Sequence, residues 1–155
     1  MRALLLVSTV VVLGLLSAAV ATVEPEEPGV VLLVNVAFPI ANPCPLREIK
    51  DIYLGNLVAK NGIRLMPINR KDPELLRAFL KTVLSMSLGP YKSHWVKKAL
   101  SEGGNAPKIV DGSEALLKLL AENKGAIGYA AKGEAVKTEG VKVLLIADSC
   151  AVNIP

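Results

Sequence analysis

The stretch at residues 30–34, Val-Val-Leu-Leu-Val, is apolar at every position. A strand with one face in water alternates apolar and polar residues, whereas a strand covered on both faces is apolar throughout. This run therefore predicts a strand inside a sheet that helices flank. Further strands are predicted at residues 64–68, 126–129 and 141–146, and Pro67 restricts the first of these to a sheet edge or a strand end.

Helical patterns separate these strands. The first covers residues 46–53, and a second begins at Asp72, an N-capping residue type that a proline follows. A third begins near Gly89, and a fourth follows Asp111 and Glu114, which have the spacing of a capping box. The resulting order of strand, helix, strand, three helices and two strands predicts an α/β fold with a mixed sheet flanked by helices. The third helix carries apolar residues on one face: Tyr91, Trp95, Val96, Ala99 and Leu100.

Residues 1–21 have the features of a secretory signal peptide. Arg2 precedes an apolar stretch, and Ala19-Val20-Ala21 is a small-x-small cleavage site. A retained membrane anchor is the alternative, which the polar and small residues within the stretch disfavour. We expect a periplasmic or secreted chain that does not span the membrane after cleavage. Its expected parts are the signal peptide at 1–21, a flexible leader at 22–29, one α/β domain at 30–147 and a tail at 148–155.

Composition excludes several classes of function. The net charge is only +4, aromatic residues make up 4% of the chain, and the basic residues are scattered. Nucleic-acid binding is therefore not expected, because it favours a clustered basic stripe with stacking aromatics.

Cys44 and Cys150 are the two cysteines, and in an oxidising compartment we expect them to form a disulfide. With His94 as the sole histidine, no metal site or cofactor is expected.

The string Leu-Arg-Glu-Ile-Lys-Asp-Ile-Tyr-Leu-Gly at residues 46–55 is more specific than its helical pattern. With the strand at 30–35 before it and Asn61-Gly62 after it, it resembles the phosphate-binding receptors of ABC importers, and in particular short, exported, single-lobe relatives of them. The resemblance covers about residues 30–146 and implies a single periplasmic-binding-protein-like lobe. Further segments follow in the family's order: residues 79–84, Trp95, residues 104–107 and residues 125–129.

The resemblance also implies a site for an oxyanion. The receptors hold phosphate at a helix start with a motif like Arg-x-Asp-Gly-Ser-Gly-Thr, and Arg70 and Asp72 match its Arg and Asp. The Gly, Ser and Thr of the motif have no match in this sequence. As a result, Pro73 removes an amide donor and Glu74 adds a carboxylate that opposes an anion. We expect weak binding of phosphate or another oxyanion, with Arg70 as the main attraction. The implied ligand-binding residues are Asn69, Arg70, Lys71 and Asp72.

Two alternatives remain open from the sequence. In the first, the chain is an exported solute-binding-like protein with a degenerate oxyanion site, working with an ABC permease. In the second, it is a periplasmic interaction module with the same fold and no small ligand, docking on another exported protein. For the site itself, the competing interpretation is that Asp72 only caps a helix while Arg70 and Lys71 are solvated. Catalysis is not expected, because His94 lacks a nucleophile partner and Gly103-Gly104 lacks the continuation of a phosphate-binding loop.

Overall fold

The computed structural model describes residues 28–134 and 138–147. The predicted signal peptide and the tail lie outside these residues, as does most of the leader. The structure is an α/β sandwich with a five-stranded sheet in the order β6-β5-β7-β1-β8. The strands are β1 Val30–Asn35, β2 Cys44–Pro45, β3 Ala59–Lys60, β4 Ile63–Arg64, β5 Met66–Arg70, β6 Lys108–Val110, β7 Ala126–Ala131, β8 Val141–Leu144 and β9 Ile146–Ala147. The helices are α1 Leu46–Tyr53, α2 Pro73–Phe79, α3 Leu88–Glu102 and α4 Gly112–Glu122, and a π-helical turn at Leu80–Leu84 extends α2.

The sheet is mixed, as the order of elements predicts. Strand β5 is parallel to both β6 and β7, whereas β1 is antiparallel to both β7 and β8. The carboxyl ends of β5, β6 and β7 therefore lie at the same edge of the sheet. Ligands of open α/β sheets bind outside this edge, so a ligand site is expected there.

Strand β1 is covered on both faces, as its continuous apolar run predicts. Leu32 and Val34 belong to the core on one side of the sheet, and Leu33 belongs to the core on the other side. The first core includes residues of α1, α2 and α3, and the second includes residues of α4. Phe79 lies in the first core, where its ring stacks on Tyr129 with centroids 4.0 Å apart.

Pro67 is the second residue of β5, which agrees with the predicted alternative of a strand end. The other alternative, a strand at the sheet edge, is wrong. Strand β5 lies between β6 and β7. Pro67 aligns with Ile127 of β7, and pairing with β6 begins one residue later, at Ile68. The missing N–H of proline thus falls before the part of the strand that pairs with β6. Strand β6 itself was not predicted, since two of its three residues are exposed.

The two predicted helix starts have different outcomes. Asp72 caps α2 as expected, because its Oδ1 accepts hydrogen bonds from the amides of Glu74 at 2.9 Å and Leu75 at 3.1 Å. Asp111 precedes α4, but its side chain makes no capping hydrogen bond. Its carboxylate instead forms an ion pair with Lys71 at 3.0 Å. The capping box predicted for Asp111 and Glu114 is therefore wrong, because a lysine from a neighbouring strand end binds the carboxylate.

Cys44 is buried in the short parallel pair of β2 and β9, where its amide donates to the carbonyl of Leu145 at 2.8 Å. It is a free cysteine among the described residues, and Cys150 lies outside them, so the disulfide stays a prediction. Burial, followed by the Glu48 carboxylate, raises the pKa of the Cys44 thiol to about 11. The free thiol is therefore protonated at neutral pH and is a poor nucleophile.

Gly125 precedes β7 at a point where two backbone segments touch. A Cβ atom at this position would lie 2.0 Å from the carbonyl oxygen of Arg64, and the carbonyl of Gly125 accepts a hydrogen bond from Met66 at 2.8 Å. We expect Gly125→Ala to lower the free energy of unfolding by about 2–3 kcal/mol, because the backbone must shift. Urea denaturation measures the loss. Gly89→Ala is the matched control, since a Cβ there meets nothing within 4 Å; an equal loss in both variants would contradict the steric explanation.

Candidate functional site

The candidate site lies at the sheet edge where the parallel strands end. Arg70 is the last residue of β5, Val110 is the last of β6, and Ala131 is the last of β7. Helix α4 begins directly after β6, so Ser113 in its first turn lies at the same edge. Glu134, three residues beyond the end of β7, completes the group.

Arg70 is buried, with 6% of its surface exposed. Its Nη1 and Nη2 atoms donate to the two carboxylate oxygens of Glu134 at 3.2 and 3.3 Å. This bidentate arrangement is the preferred geometry between a guanidinium and a carboxylate. The Nε atom of Arg70 is buried and has no hydrogen-bond partner, so its N–H is an unused buried donor.

The carboxylate of Glu134 accepts two further hydrogen bonds. The hydroxyl of Ser113 donates to Oε1 at 2.8 Å, and the backbone amide of Ala131 donates to Oε2 at 2.9 Å. Each carboxylate oxygen thus receives one bond from Arg70 and one from another donor. Four donors thus surround one carboxylate, and together they compensate its negative charge.

These contacts change the ionisation of Glu134. Burial alone would raise its pKa, but the hydrogen bonds from Arg70, Ser113 and the Ala131 amide outweigh burial and lower the pKa below 4.5. The carboxylate is therefore ionised at neutral pH. A lowered pKa in the folded state means that this group stabilises the fold above its unfolded pKa and loses that contribution as the pH falls.

This linkage gives a test by acid denaturation. We expect the wild type to be more stable than Glu134→Gln at neutral pH. The difference in free energy of unfolding should shrink as the pH falls below about 4.5, because protonation removes the charge that the variant already lacks. Urea denaturation at a series of pH values measures it. A difference that is constant down to about pH 3 would contradict the lowered pKa.

Asn69 lies beside Arg70 on β5 and is also buried, at 5% exposure. Its Nδ2 donates to the hydroxyl of Tyr91 at 3.1 Å, while its Oδ1 has no hydrogen-bond partner. The amide of Arg70 donates to the hydroxyl of Tyr129 at 3.1 Å. Burial raises the pKa of both tyrosines, so their hydroxyls are neutral and serve to hold β5 in place.

Of the four predicted ligand-binding residues, two are buried and two are exposed in the structure. Asn69 and Arg70 are buried, whereas Lys71 is mostly exposed and is paired with Asp111. The expectation that Asp72 caps α2 is correct, but the companion interpretation of Arg70 as solvated is wrong, because β5 carries it into the sheet edge. Glu74 is exposed and forms an ion pair with Arg77.

Sequence reasoning missed Ser113 and Glu134. Ser113 follows Asp111 and Gly112 at the start of a predicted helix, and that position was the available signal for it. Nothing in the local sequence singles out Glu134, since its partner Arg70 is 64 positions away along the chain. The carboxylate that pairs with the guanidinium of Arg70 is thus Glu134, while the predicted opposing effect of Glu74 on an anion stays a prediction.

Other candidate groups have structural roles. The Nε2 atom of His94 lies 2.9 Å from the carbonyl oxygen of Leu54, and the ring meets Trp95 edge-on. Within residues 28–134 and 138–147, no three His, Cys, Asp or Glu side chains group as metal ligands would. Over the same residues, none of the helices has the length and apolar character needed to cross a bilayer.

Comparison with known proteins identifies the fold. No protein-family model and no curated protein matches this sequence. Among solved structures, a protein described as a candidate phosphate ABC transporter substrate-binding protein from Clostridium perfringens, with phosphate bound, superposes with a TM-score of 0.57 at 20% identity, covering 77% of this chain and 45% of that one. A protein described as a possible phosphate-binding protein from Planctomyces limnophilus gives 0.53 at 13% identity, covering 78% and 42%.

These similarities show that the described chain has the fold of a periplasmic-binding-protein-like domain, as the sequence resemblance implies. The chain spans less than half the length of each of these solved proteins. At such low identity the similarity concerns the backbone fold.

Proposed function

We propose that this protein is an exported solute-binding-like domain that binds phosphate or a related oxyanion weakly at Arg70. The observation that carries the proposal is the buried guanidinium at the carboxyl ends of the parallel strands, which already holds an anion with Ser113 and a backbone amide. The similar protein from Clostridium perfringens contains bound phosphate, which supports an anion as the ligand class. Asn69, Lys71 and Asp72 are the sequence neighbours of Arg70 and contribute less to binding in this proposal.

Weak binding follows from the occupant of the site. A free oxyanion must displace Glu134, which is covalently attached and accepts four hydrogen bonds. The backbone amides of Glu74 and Leu75 cannot bind the oxyanion either, because both already donate hydrogen bonds to Asp72 Oδ1. A millimolar dissociation constant corresponds to only about 4 kcal/mol, which one arginine with a hydroxyl and an amide can supply in competition with Glu134.

Isothermal titration calorimetry with phosphate at constant ionic strength tests the proposal. We expect a dissociation constant of about 1 mM for the wild type, roughly ten-fold weaker binding for Ser113→Ala, and no detectable binding for Arg70→Ala. Lys71→Ala is the control, because Lys71 is exposed and paired with Asp111, and it should change the affinity by less than about three-fold. Equal binding by the wild type and Arg70→Ala would place the anion elsewhere.

The second candidate is an interaction module without a small ligand. The observation that favours it lies on α3, where Tyr91 and Trp95 of the predicted apolar face are buried but Leu100 is 85% exposed and Val96 is 60% exposed. Exposed apolar side chains on one helix are suited to contact another protein. No heat with phosphate in any variant would support this candidate over the first.

Export is part of the proposal. Cleavage after Ala21 would release the domain, and an ABC permease or another exported protein would be its partner. Intact-mass measurement of the protein recovered from outside the cytoplasm decides the first point. A mass that includes residues 1–21 would show that the segment is retained.

A further inference from the structure

The contacts of Glu134 are those of a bound carboxylate ligand. Oε1 accepts from Arg70 Nη2 at 3.3 Å and from Ser113 Oγ at 2.8 Å, and Oε2 accepts from Arg70 Nη1 at 3.2 Å and from the Ala131 amide at 2.9 Å. Both oxygens are satisfied equally, and the guanidinium fork meets them in the bidentate manner. Donors placed this way define the shape of the anion that the site fits.

We propose that the pocket formed by Arg70, Ser113 and the Ala131 amide is a carboxylate site, that Glu134 is its tethered resident, and that small free carboxylates occupy it in preference to phosphate once that side chain is removed. The inference rests on the proposed anion site and specifies its ligand class. In the wild type, a free carboxylate competes with Glu134 for the same donors. The occupied state is therefore the resting state of the protein.

The donor set favours a planar anion. A carboxylate has two oxygens, and the four donors serve two each. A phosphate has further oxygens, and at neutral pH it carries up to two charges, whereas Arg70 is the one buried cation in this donor set. Lys71 is 69% exposed and is neutralised by Asp111. A second charge and the extra oxygens would therefore be poorly compensated.

One buried polar atom of the same guanidinium has no partner. The Nε atom of Arg70 makes no hydrogen bond, and the residue is more than nine-tenths buried. Buried polar groups are nearly always hydrogen-bonded, so this exception calls for an explanation. A ligand larger than the side chain of Glu134 would find this spare donor beside the two that Glu134 uses, which supports a ligand site over a purely structural ion pair.

Chemical rescue tests the inference. Glu134→Ala removes the resident and leaves space for a small carboxylate, and we expect a melting temperature about 10 °C below that of the wild type. Adding about 100 mM acetate, compared with chloride at equal ionic strength, should raise the melting temperature of this variant by about 4 °C. The wild type should shift by less than about 1 °C, because its pocket is filled.

Glu134→Gln is the matched control. It removes the same charge but keeps the side-chain volume, so acetate should not rescue it. Glu139→Ala, at an exposed site, controls for the loss of a surface carboxylate. No rescue of Glu134→Ala by acetate, or an equal shift in all four proteins, would overturn the inference.

Phosphate forms the comparison arm. Rescue of Glu134→Ala by phosphate that is weaker than rescue by acetate would support the carboxylate preference. Stronger rescue by phosphate would overturn that preference while still supporting the proposed oxyanion function. If Glu134→Ala is unfolded at room temperature, circular dichroism during an acetate titration gives the same readout, since a ligand that binds only the folded state restores helical signal.

Discussion

Arg70→Ala should lower the free energy of unfolding by about 3–5 kcal/mol. The substitution removes two hydrogen bonds to Glu134 and leaves that carboxylate, 28% exposed, without its counter-charge. Removal of one member of a buried ion pair costs more than the pair itself contributes, because the remaining charge is uncompensated. Urea denaturation monitored by tryptophan fluorescence measures the loss through Trp95.

A double variant separates the interaction energy of the ion pair from the energy lost through side-chain packing. Arg70→Ala combined with Glu134→Ala should be less destabilised than the sum of the two single variants, with a coupling of about 1–3 kcal/mol. Lys71→Ala is the single-site control, because its ion pair with Asp111 is 69% and 78% exposed, and it should cost no more than about 1 kcal/mol. Additive effects of Arg70→Ala and Glu134→Ala would show that the two side chains do not interact in solution.

Phe79→Ala should be similarly costly, at about 3–5 kcal/mol. Phe79 is fully buried, stacks on Tyr129 at a centroid distance of 4.0 Å and contacts Tyr53 at 4.6 Å. Its removal leaves a cavity beneath β5 and β7. Tyr53 cannot move into this cavity freely, because its hydroxyl is hydrogen-bonded to the carbonyls of Ile68 and Ile127 on these two strands. The surrounding rings are therefore held in place and cannot collapse into the space.

Leu100→Ala is the matched control for this substitution. Leu100 is also apolar and helical but is 85% exposed, so its truncation should change the free energy of unfolding by no more than about 0.5 kcal/mol. Both variants are compared with the wild type in the same denaturant series. A loss below about 1 kcal/mol for Phe79→Ala would mean that the three rings do not form the rigid centre of the core.

The fold was predictable where the pattern is local. The unbroken apolar run of β1 indicates a strand buried on both faces, and the Asp-Pro start of α2 indicates a helix whose cap the structure shows. Strand β6 was missed because three residues with one buried side chain leave no periodic signal. The capping box at Asp111 was wrong because Lys71, which is distant in sequence, binds its carboxylate.

The candidate site was predictable only in part. Arg70 and Asp72 could be selected from their match to a motif, and Asp72 has a local role that its sequence neighbours reveal. The burial of Arg70 depends on the position of β5 between β6 and β7, which no local pattern states. Its pairing with Glu134 depends on β5 and β7 being adjacent in the sheet. Glu134, which neutralises the charge of Arg70, therefore could not be identified before the strand order was known.

Titration of ¹⁵N-labelled wild-type protein with phosphate, followed by two-dimensional NMR, tests the central claim most directly, namely that Arg70 is the centre of an anion site. We predict millimolar binding, with the largest shifts at the amides of Arg70, Ser113 and Ala131, and fast exchange as expected for an affinity of about 4 kcal/mol. Unchanged spectra at about 20 mM phosphate, or shifts confined to residues away from this sheet edge, would contradict it.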